Sequence, residues 1–312
     1  MQIITFSTEW ADGDSSLRVG SLLNDRYIFD FTRAYEGEPP DTLLRWFDVD
    51  GPWFRNGRSR FEQARRNAGE AAERGWLIER PSAYWFPPVP RPGKVICIGL
   101  NYRDHAAESK MAIPEKPVVF SKFSTAIIGP GEPVVLPPSS SQVDYEAELA
   151  VVIGRRAKNV SADQALDYVL GYTCFNDVSA RDFQFADGQW QRGKSCDTFA
   201  PMGPMIVTTD DVPDPHKLSI KLVLNGKPMQ DSNTDQLIFG VPQLIEFLSQ
   251  TITLEPGDVI ATGTPSGVGF ARKPPVFLQE GDEMEVVIES VGSLNSPVIA
   301  EKKAAVNVAQ PL

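Results

Sequence analysis

The chain has 312 residues, of which 42% are hydrophobic and 10% aromatic, enough for a folded core in one large domain or two modest ones. Forty-one acidic residues against thirty basic ones give a net charge of −11 without any dense run of lysine or arginine, which argues against a nucleic-acid partner. An anionic substrate is still possible, because a metal ion and a few fixed cations can reverse the field locally.

The three cysteines, Cys97, Cys174 and Cys196, lie far apart and show no C-x-x-C spacing. Neither a disulfide framework nor a zinc site is indicated, and a reducing compartment is expected. No signal-peptide pattern and no run of about 18 uncharged apolar residues is present. We therefore expect a cytoplasmic protein that does not bind a membrane.

The N-terminal part is predicted to be a small β/α unit. Residues 2–31 alternate in short apolar and polar runs with a hairpin turn at Asn24–Asp25, and helical spacing follows at 41–47 and 58–74. Five prolines then crowd the dozen residues before Gly93, a composition that neither a helix nor a central strand tolerates.

The proline-rich stretch predicts a domain boundary. A small N-terminal domain with its linker is expected at residues 1–90, and a larger domain at residues 91–312. Strand patterns dominate the larger part, which indicates an α+β fold that is predominantly β. The strands are expected at 94–100, 117–123, 133–136, 145–153, 172–177, 218–224 and 227–231, with Asn225–Gly226 as a hairpin turn and helices at 161–170, from a capping box, and at 243–249.

Two carboxylates stand two residues apart at the start of an apolar run. In a strand, Glu146 and Glu148 share one face while Ala147, Leu149 and Val151 take the other. Their repulsion is relieved most directly by a divalent cation, and oxygen ligands suit Mg²⁺, Mn²⁺ or Ca²⁺ better than zinc. A solvated strand edge is the alternative interpretation of this pattern.

Asp177 offers a third carboxylate at the end of the strand predicted for 172–177. It comes 29 residues after Glu148, a gap that fits the rest of one strand, a helix and a return strand. Asp177 can therefore lie beside the glutamate pair, although spacing alone does not establish it.

His105 and Glu108 stand three residues apart in a segment that is predicted as a helix or loop. On a helix these positions are neighbours, so the carboxylate can orient the imidazole and raise its basicity. An ordinary surface pair is the alternative. Residues 106–116 are a candidate mobile lid.

Five motifs in order resemble those of the fumarylacetoacetate hydrolase superfamily, and the resemblance covers roughly residues 94–290. They are Gly99-Leu100-Asn101-Tyr102 with His105, Tyr145-Glu146-Ala147-Glu148-Leu149, Asn176-Asp177-Val178-Ser179-Ala180-Arg181-Asp182, Gly193-Lys194-Ser195 and Thr262-Gly263-Thr264-Pro265-Ser266-Gly267-Val268-Gly269. The last of these lacks both P-loop and dinucleotide-binding order, which favours a substrate-facing turn. The part before residue 94 is shorter than the N-terminal domain of fumarylacetoacetase, so the shorter FAHD-like, bacterial acylpyruvate hydrolase branch is the better match.

The resemblance implies a mixed β-sandwich roll, a homodimer, and Mg²⁺ or Mn²⁺ held by Glu146, Glu148 and Asp177. It also implies a small 2-oxo acid or diketo acid substrate, with Lys194 as a positive donor at the site. The expected substrate-binding residues are Arg181, Gln184 and Thr264.

Within that branch, hydrolysis of the C–C bond of a 3-acylpyruvate is the first prediction. The metal would stabilise the enolate, and His105 with Glu108 would activate the attacking water. An oxaloacetate-type decarboxylase and an isomerase of hydroxyheptadienedioate-type diacids from aromatic catabolism are the alternatives. A non-catalytic metal-binding or diacid-binding protein is the rival from another class.

Overall fold

The computed structural model describes residues 1–9, 16–186 and 188–301. Residues 10–15 of the predicted N-terminal domain, and residues 187 and 302–312 of the predicted larger domain, lie outside the described residues. Within the described ranges, none of the helices is both long enough and apolar enough to cross a membrane.

Strands account for most of the regular structure, as predicted. The strands are β1 (Gln2–Ser7), β2 (Arg18–Leu22), β3 (Tyr27–Asp30), β4 (Leu77–Glu79), β5 (Tyr84–Phe86), β6 (Val95–Gly99), β7 (Val118–Lys122), β8 (Ile127–Ile128), β9 (Val134–Leu136), β10 (Val143–Asp144), β11 (Ala147–Ile153), β12 (Val169–Asn176), β13 (Ser179–Ala180), β14 (Ala200–Thr208), β15 (Ser219–Leu224), β16 (Lys227–Asn233), β17 (Val259–Ala261), β18 (Glu283–Ile288) and β19 (Gly292–Ala300).

The helices are short apart from two. They are α1 (Phe31–Ala34), α2 (Pro52–Arg66), α3 (Ala68–Glu73), α4 (Arg103–Glu108), α5 (Arg181–Ala186), α6 (Gln191–Lys194) and α7 (Val241–Thr251). A single 3₁₀ turn at Leu43–Phe47 replaces the first helix expected from the sequence.

Two large sheets organise the molecule, and the predominantly β, α+β fold class is confirmed. The larger sheet runs β4-β3-β2-β1-β14-β12-β11-β17-β6-β7, with β5 paired to β1 and β8 to β14. The second runs β16-β15-β18-β19-β9, and β10 pairs with β13 separately. The Asn225–Gly226 turn joins β15 to β16 with φ of 52° and 75°, the left-handed pair that a two-residue hairpin requires.

Strand β11 lies between two cores. Leu149 and Val151 face the core shared with the second sheet, where Ile220 and Val286 also lie. The opposite face, which includes Val152, packs into another core. Because β11 has apolar neighbours on both faces, the two glutamates at its start lie inside the protein and not at a solvated edge.

The N-terminal part extends the large sheet. Strand β1 pairs with β14, with Gln2 opposite Val207, and Phe31 and Trp46 share a core with Val95. The predicted N-terminal domain (residues 1–90) and the predicted larger domain (residues 91–312) therefore share one sheet and one core. Whether they fold as separate units stays a prediction.

The helix predicted for residues 161–170 is wrong. Ser161 and Gln164 do approach each other, at 3.4 Å, but only a 3₁₀ turn over Ala165–Tyr168 follows. Strand β12 already begins at Val169, which pairs with Ile153. Pairing of a buried strand outweighs a local capping signal, because propensity is a weak prior against tertiary burial.

The helix predicted for 58–74 exists as two helices. Asn67 separates them, with φ of −144°, and its side chain accepts a hydrogen bond from the Glu70 amide at the start of α3. Asparagine favours such a cap over a helix interior because its side chain competes for backbone groups. The first of the two helices also begins earlier than predicted, at Pro52.

Gly171 provides a test of the sheet. A Cβ at this position in β12 would lie 2.2 Å from the Val207 carbonyl oxygen of the neighbouring strand β14. We expect Gly171→Ala to lower the free energy of unfolding by about 2 kcal/mol or more, because backbone must move to admit the methyl group. The matched control is Gly69→Ala in α3, where a Cβ makes ordinary contact, and denaturant unfolding compares them. Equal midpoints for the two variants would contradict the β12–β14 packing.

Candidate functional site

The pairing of β11 with β12 brings three carboxylates together. Ala147 lies opposite Asn176, so Glu146 and Asp177 are adjacent, and the Asp177 amide donates to the Glu146 carbonyl at 2.9 Å. Glu146, Glu148 and Asp177 are all buried, and one oxygen from each lies within 4.8 Å of the others. Asp177 thus lies beside the glutamate pair, as the sequence spacing allowed. The segment that connects Glu148 to Asp177 contains a 3₁₀ turn where a helix was predicted.

Three cations surround these carboxylates. The Lys194 ammonium lies 2.7 Å from Glu146 Oε2 and 2.8 Å from Asp177 Oδ2. Arg181 Nη1 lies 2.7 Å from Glu146 Oε1. Lys122 Nζ donates to Asp177 Oδ1 at 2.5 Å and to the Val178 carbonyl.

Lys122 was missed by sequence reasoning. It ends β7, a strand whose other residues are exposed or half-buried, yet its own side chain is buried. The only sequence signal was a lysine inside a predicted strand, which ordinarily indicates a solvated position. Its role depends on how β7 is placed against the loop that follows β12, and no local pattern encodes that.

Glu148 differs from its two neighbours. Glu146 is buried, which raises a carboxyl pKa, but the charges of Lys194 and Arg181 outweigh burial and lower the pKa of Glu146 to about 2. Burial, together with the charges of Asp177 and Glu146, raises the pKa of Glu148 well above its usual range. Among the described residues, the Glu148 carboxylate accepts a hydrogen bond from the Gly263 amide at 2.7 Å and forms no ion pair.

These contacts fit a divalent cation. Asp144, Glu146 and Asp177 contact Lys122, Arg181 and Lys194, and Glu148 lies beside them. With all four carboxylates ionised, the form that binds a metal ion, the buried cluster has one net negative charge. Buried charge is costly unless it is compensated. A divalent ion at the three carboxylates would compensate Glu148, and an all-oxygen donor set suits Mg²⁺ or Mn²⁺.

His105 and Glu108 form the predicted pair on α4. His105 Nδ1 lies 3.5 Å from Glu108 Oε2, while both Glu108 oxygens accept from the Gly267 amide at 3.0 and 3.1 Å. Burial opposes ionisation of Glu108, but His105 and the Gly267 amide lower its pKa below the usual value. The pair is thus fixed to residues 262–269, the glycine-rich loop. The imidazole Nδ1 faces the Glu108 carboxylate, which leaves Nε2 for a ligand.

A cavity of about 100 Å³ joins these groups. Carboxylate, ammonium, imidazole, amide and hydroxyl groups line one part of it, and rings and aliphatic chains line the remainder. The polar lining consists of His105, Ser109, Glu146, Glu148, Gln184, Lys194 and Thr264, and the other lining residues are Ile98, Gly99, Leu100, Met111, Phe120, Phe185, Trp190 and Phe270. A larger groove of about 710 Å³ runs along the N-terminal part, where Arg18, Thr42 and Arg91 contribute to its lining.

The three residues expected to bind substrate lie at this site in different ways. Gln184 and Thr264 line the cavity. The Thr264 hydroxyl already donates to the Ala147 carbonyl at 2.9 Å and accepts from Gln230 at 2.8 Å. Arg181 donates to Gln184 Oε1 at 3.0 Å in addition to its carboxylate contacts. Substrate binding by these residues stays a prediction.

The proposed lid, residues 106–116, contributes Ser109 and Met111 to the cavity wall. The Met111 side chain is nevertheless more than half exposed. Movement of residues 106–116 as a lid stays a prediction.

Comparison with known proteins identifies the family. The family model for the fumarylacetoacetate (FAA) hydrolase C-terminal domain matches residues 94–299. The chain belongs to the fumarylacetoacetate hydrolase family. This confirms the predicted family and its mixed β fold, and it supports metal-dependent catalysis as the family's kind of chemistry.

Among curated relatives, the chain is similar to the mitochondrial oxaloacetate tautomerase fahd2 of Xenopus laevis. The two are 46% identical over 301 residues, covering 96% of this chain and 90% of that protein. The rat mitochondrial oxaloacetate tautomerase Fahd2a is 50% identical over 224 residues, covering 72% of each chain.

Solved structures show the same fold. A putative HpcE protein from Mycobacterium smegmatis matches with a TM-score of 0.81 and 37% identity, covering 97% of this chain and all of that one. A maleylpyruvate hydrolase from Sphingobium sp. SYK-6, solved in complex with manganese(II) and pyruvate, matches with a TM-score of 0.73, 34% identity and the same coverage.

Glu148→Gln tests the carboxylate cluster as a metal site. The substitution keeps the shape and removes the charge of the ligand that no cation compensates, so we expect the dissociation constant for Mn²⁺ to rise at least about tenfold while the protein stays folded. Calorimetric titration of the metal-free protein measures it, with the exposed Glu280→Gln as the control. An unchanged constant would exclude Glu148 as a ligand.

Proposed function

We propose that this protein is a Mg²⁺- or Mn²⁺-dependent enzyme that interconverts the keto and enol forms of a small 2-oxo diacid of the oxaloacetate type. The observation that carries the proposal is one cavity that is lined both by Glu146 and Glu148 of the buried carboxylate triad and by His105 of the histidine–glutamate pair. Its relatives support the reaction class, because two similar proteins are oxaloacetate tautomerases. The proposed reaction differs from both alternatives drawn from the sequence: it takes the substrate type of the oxaloacetate-type decarboxylase and the proton-shuttle chemistry of the hydroxyheptadienedioate-type isomerase.

Cavity size supports a compact substrate. At about 100 Å³ the cavity is smaller than the roughly 300–1,000 Å³ of sites that enclose drug-sized ligands. When bound at Glu146, Glu148 and Asp177, the cation supplies a Lewis acid for the 2-oxo group and for negative charge on the enol oxygen.

The chain's own residues supply the proton transfer. His105 Nε2 accepts the proton from C3 of the keto form and returns it when the reaction reverses, while Glu108 holds the imidazole in orientation. The imidazolium then gives a proton to the oxygen at C2, directly or through a water molecule, so His105 returns to its neutral form and no other reactant is consumed. The Lys194 ammonium, 2.7 Å from Glu146, places positive charge beside the forming enolate. Gln184 orients the substrate carboxylate from the cavity wall through its side-chain NH₂ group, since its Oε1 accepts from Arg181. Thr264 shapes the same wall, because its hydroxyl proton is used by the Ala147 carbonyl.

Hydrolysis of a 3-acylpyruvate remains the second candidate. The observation that favours it is the same His105–Glu108 pair, which can deprotonate a water molecule. The maleylpyruvate hydrolase from Sphingobium shares the fold at 34% identity. The homodimer and the cytoplasmic location also stay predictions.

Metal removal tests the proposed activity. Purified protein is treated exhaustively with EDTA and assayed for enol-to-keto conversion of oxaloacetate, followed by loss of the enol absorbance. We expect conversion above the buffer rate to disappear and to return with Mg²⁺ or Mn²⁺, because three buried carboxylates without their cation repel an anionic substrate. Undiminished turnover in EDTA would contradict metal dependence, and no conversion of oxaloacetate with either metal would contradict the proposed substrate class.

His105→Gln tests the proton-transfer role. We expect kcat/KM for tautomerisation to fall by the roughly 10²–10⁴-fold typical of a lost general base, with the Mn²⁺ dissociation constant unchanged. The control is His216→Gln, at the chain's other histidine, whose Nε2 accepts from the Val241 amide at the start of α7. Assay of both variants with oxaloacetate and with acylpyruvates separates the candidates. A variant that loses only acylpyruvate hydrolysis would assign His105 to water activation.

A further inference from the structure

Asp144 is a fully buried carboxylate one residue before the motif that carries the metal ligands. It ends β10, the short strand paired with β13, and is not one of the three proposed ligands. Asp144 Oδ1 accepts from the Gly269 amide at 2.7 Å, and Oδ2 accepts from Arg181 Nε at 2.9 Å and the Phe270 amide at 3.0 Å. One side chain therefore joins the end of the glycine-rich loop to a buried guanidinium.

The backbone of the glycine-rich loop approaches Asp144 closely at Gly269. A Cβ on Gly269 would lie 2.5 Å from Asp144 Oδ1 and still closer to the Val276 carbonyl oxygen, so only glycine allows this approach. The next residue, Phe270, places its ring 4.4 Å from the Arg181 guanidinium carbon and forms part of the cavity wall. The Arg181 guanidinium therefore contacts the Asp144 carboxylate and the Phe270 ring, and the loop amides hold that carboxylate in place.

Arg181 carries the contact onward to the carboxylate triad. Its Nε and Nη2 face Asp144, with Nη2 at 2.8 Å from Oδ2, and its Nη1 contacts Glu146 Oε1 at 2.7 Å. A guanidinium is planar and rigid, so fixing one edge fixes the other. The second oxygen of Glu146 is held by Lys194, and the direction of the Glu146 carboxylate therefore depends on where Asp144 holds Arg181.

We infer that Asp144 is a positioning residue that, through Arg181, sets the affinity of the carboxylate triad for its divalent cation and couples it to the Gly269–Phe270 segment of the cavity wall. The inference rests on the proposed metal site. Asp144 does not itself ligate the ion in this account.

Both the charge of Asp144 and its contacts predict that its loss weakens binding of the divalent cation. With the three proposed ligands ionised, as metal binding requires, the cluster has one net negative charge when Asp144 is present and none when it is neutralised, so a cation is attracted less. Arg181 stays charged at any accessible pH, and without its partner it competes more strongly with the cation for Glu146. In Asp144→Asn one acceptor oxygen becomes an NH₂ group, so either the Gly269 or the Phe270 amide loses its buried acceptor, which loosens the cavity wall.

Asp144→Asn tests the inference. We expect the Mn²⁺ dissociation constant of the metal-free protein, measured by calorimetry, to rise at least about tenfold, and KM for oxaloacetate to rise at saturating metal. The matched control is Asp30→Asn, which alters another fully buried aspartate, 2.7 Å from Arg18 and at the start of α1. That variant should lose thermal stability without any change in metal affinity.

Arg181→Lys separates geometry from charge, because it keeps the positive charge but lacks the fork that reaches both carboxylates. If Asp144→Asn does not fold, Arg181→Lys tests the same inference. We expect weaker Mn²⁺ binding here too. A folded variant of either kind that binds Mn²⁺ like wild type would overturn the inference, whereas wild-type protein that binds no divalent cation would instead overturn the proposed metal site.

Discussion

The rest of the site depends on one constraint, the burial of three carboxylates side by side. One oxygen each of Glu146, Glu148 and Asp177 lies within 4.8 Å of the others. The carboxylates lie where β11 and β12 pair, between two apolar cores, so water screens their charges only weakly. Lys122, Lys194 and Arg181 compensate Glu146 and Asp177 but leave Glu148 without an ion pair among the described residues. This incomplete compensation makes the cluster a candidate metal centre, since a structural ion-pair network would pair each charge.

The glycine-rich loop connects the parts of the site. The Gly263 amide contacts Glu148, the Gly267 amide contacts Glu108, and the Gly269 amide contacts Asp144. Three backbone N–H groups of one loop thus bind a proposed ligand, the orienter of the proposed base and the residue that holds Arg181. Backbone donors are well suited to this, because they occupy fixed positions and need no side-chain ordering when a ligand binds.

The sequence predicted the parts of the site that local pattern and motif order encode. The alternation at Glu146 and Glu148 gave their shared face, and the Asn225–Gly226 turn was identified from its residue types. Lys122 and Asp144 were not identified, because their roles arise from contacts between elements distant in the chain. The helix predicted after Ser161 failed for the same reason, as burial of Val169 in β12 overrode a local cap.

The central claim is that Glu146, Glu148 and Asp177 together hold one divalent cation that contacts a small 2-oxo acid. Anomalous diffraction from crystals of the protein grown with Mn²⁺ and pyruvate tests it most directly. The account predicts one strong manganese peak at coordination distance from an oxygen of each of the three carboxylates, with pyruvate bound to it in the cavity beside His105. A manganese peak elsewhere, or an ordered triad paired only with lysine and arginine at saturating Mn²⁺, would contradict it.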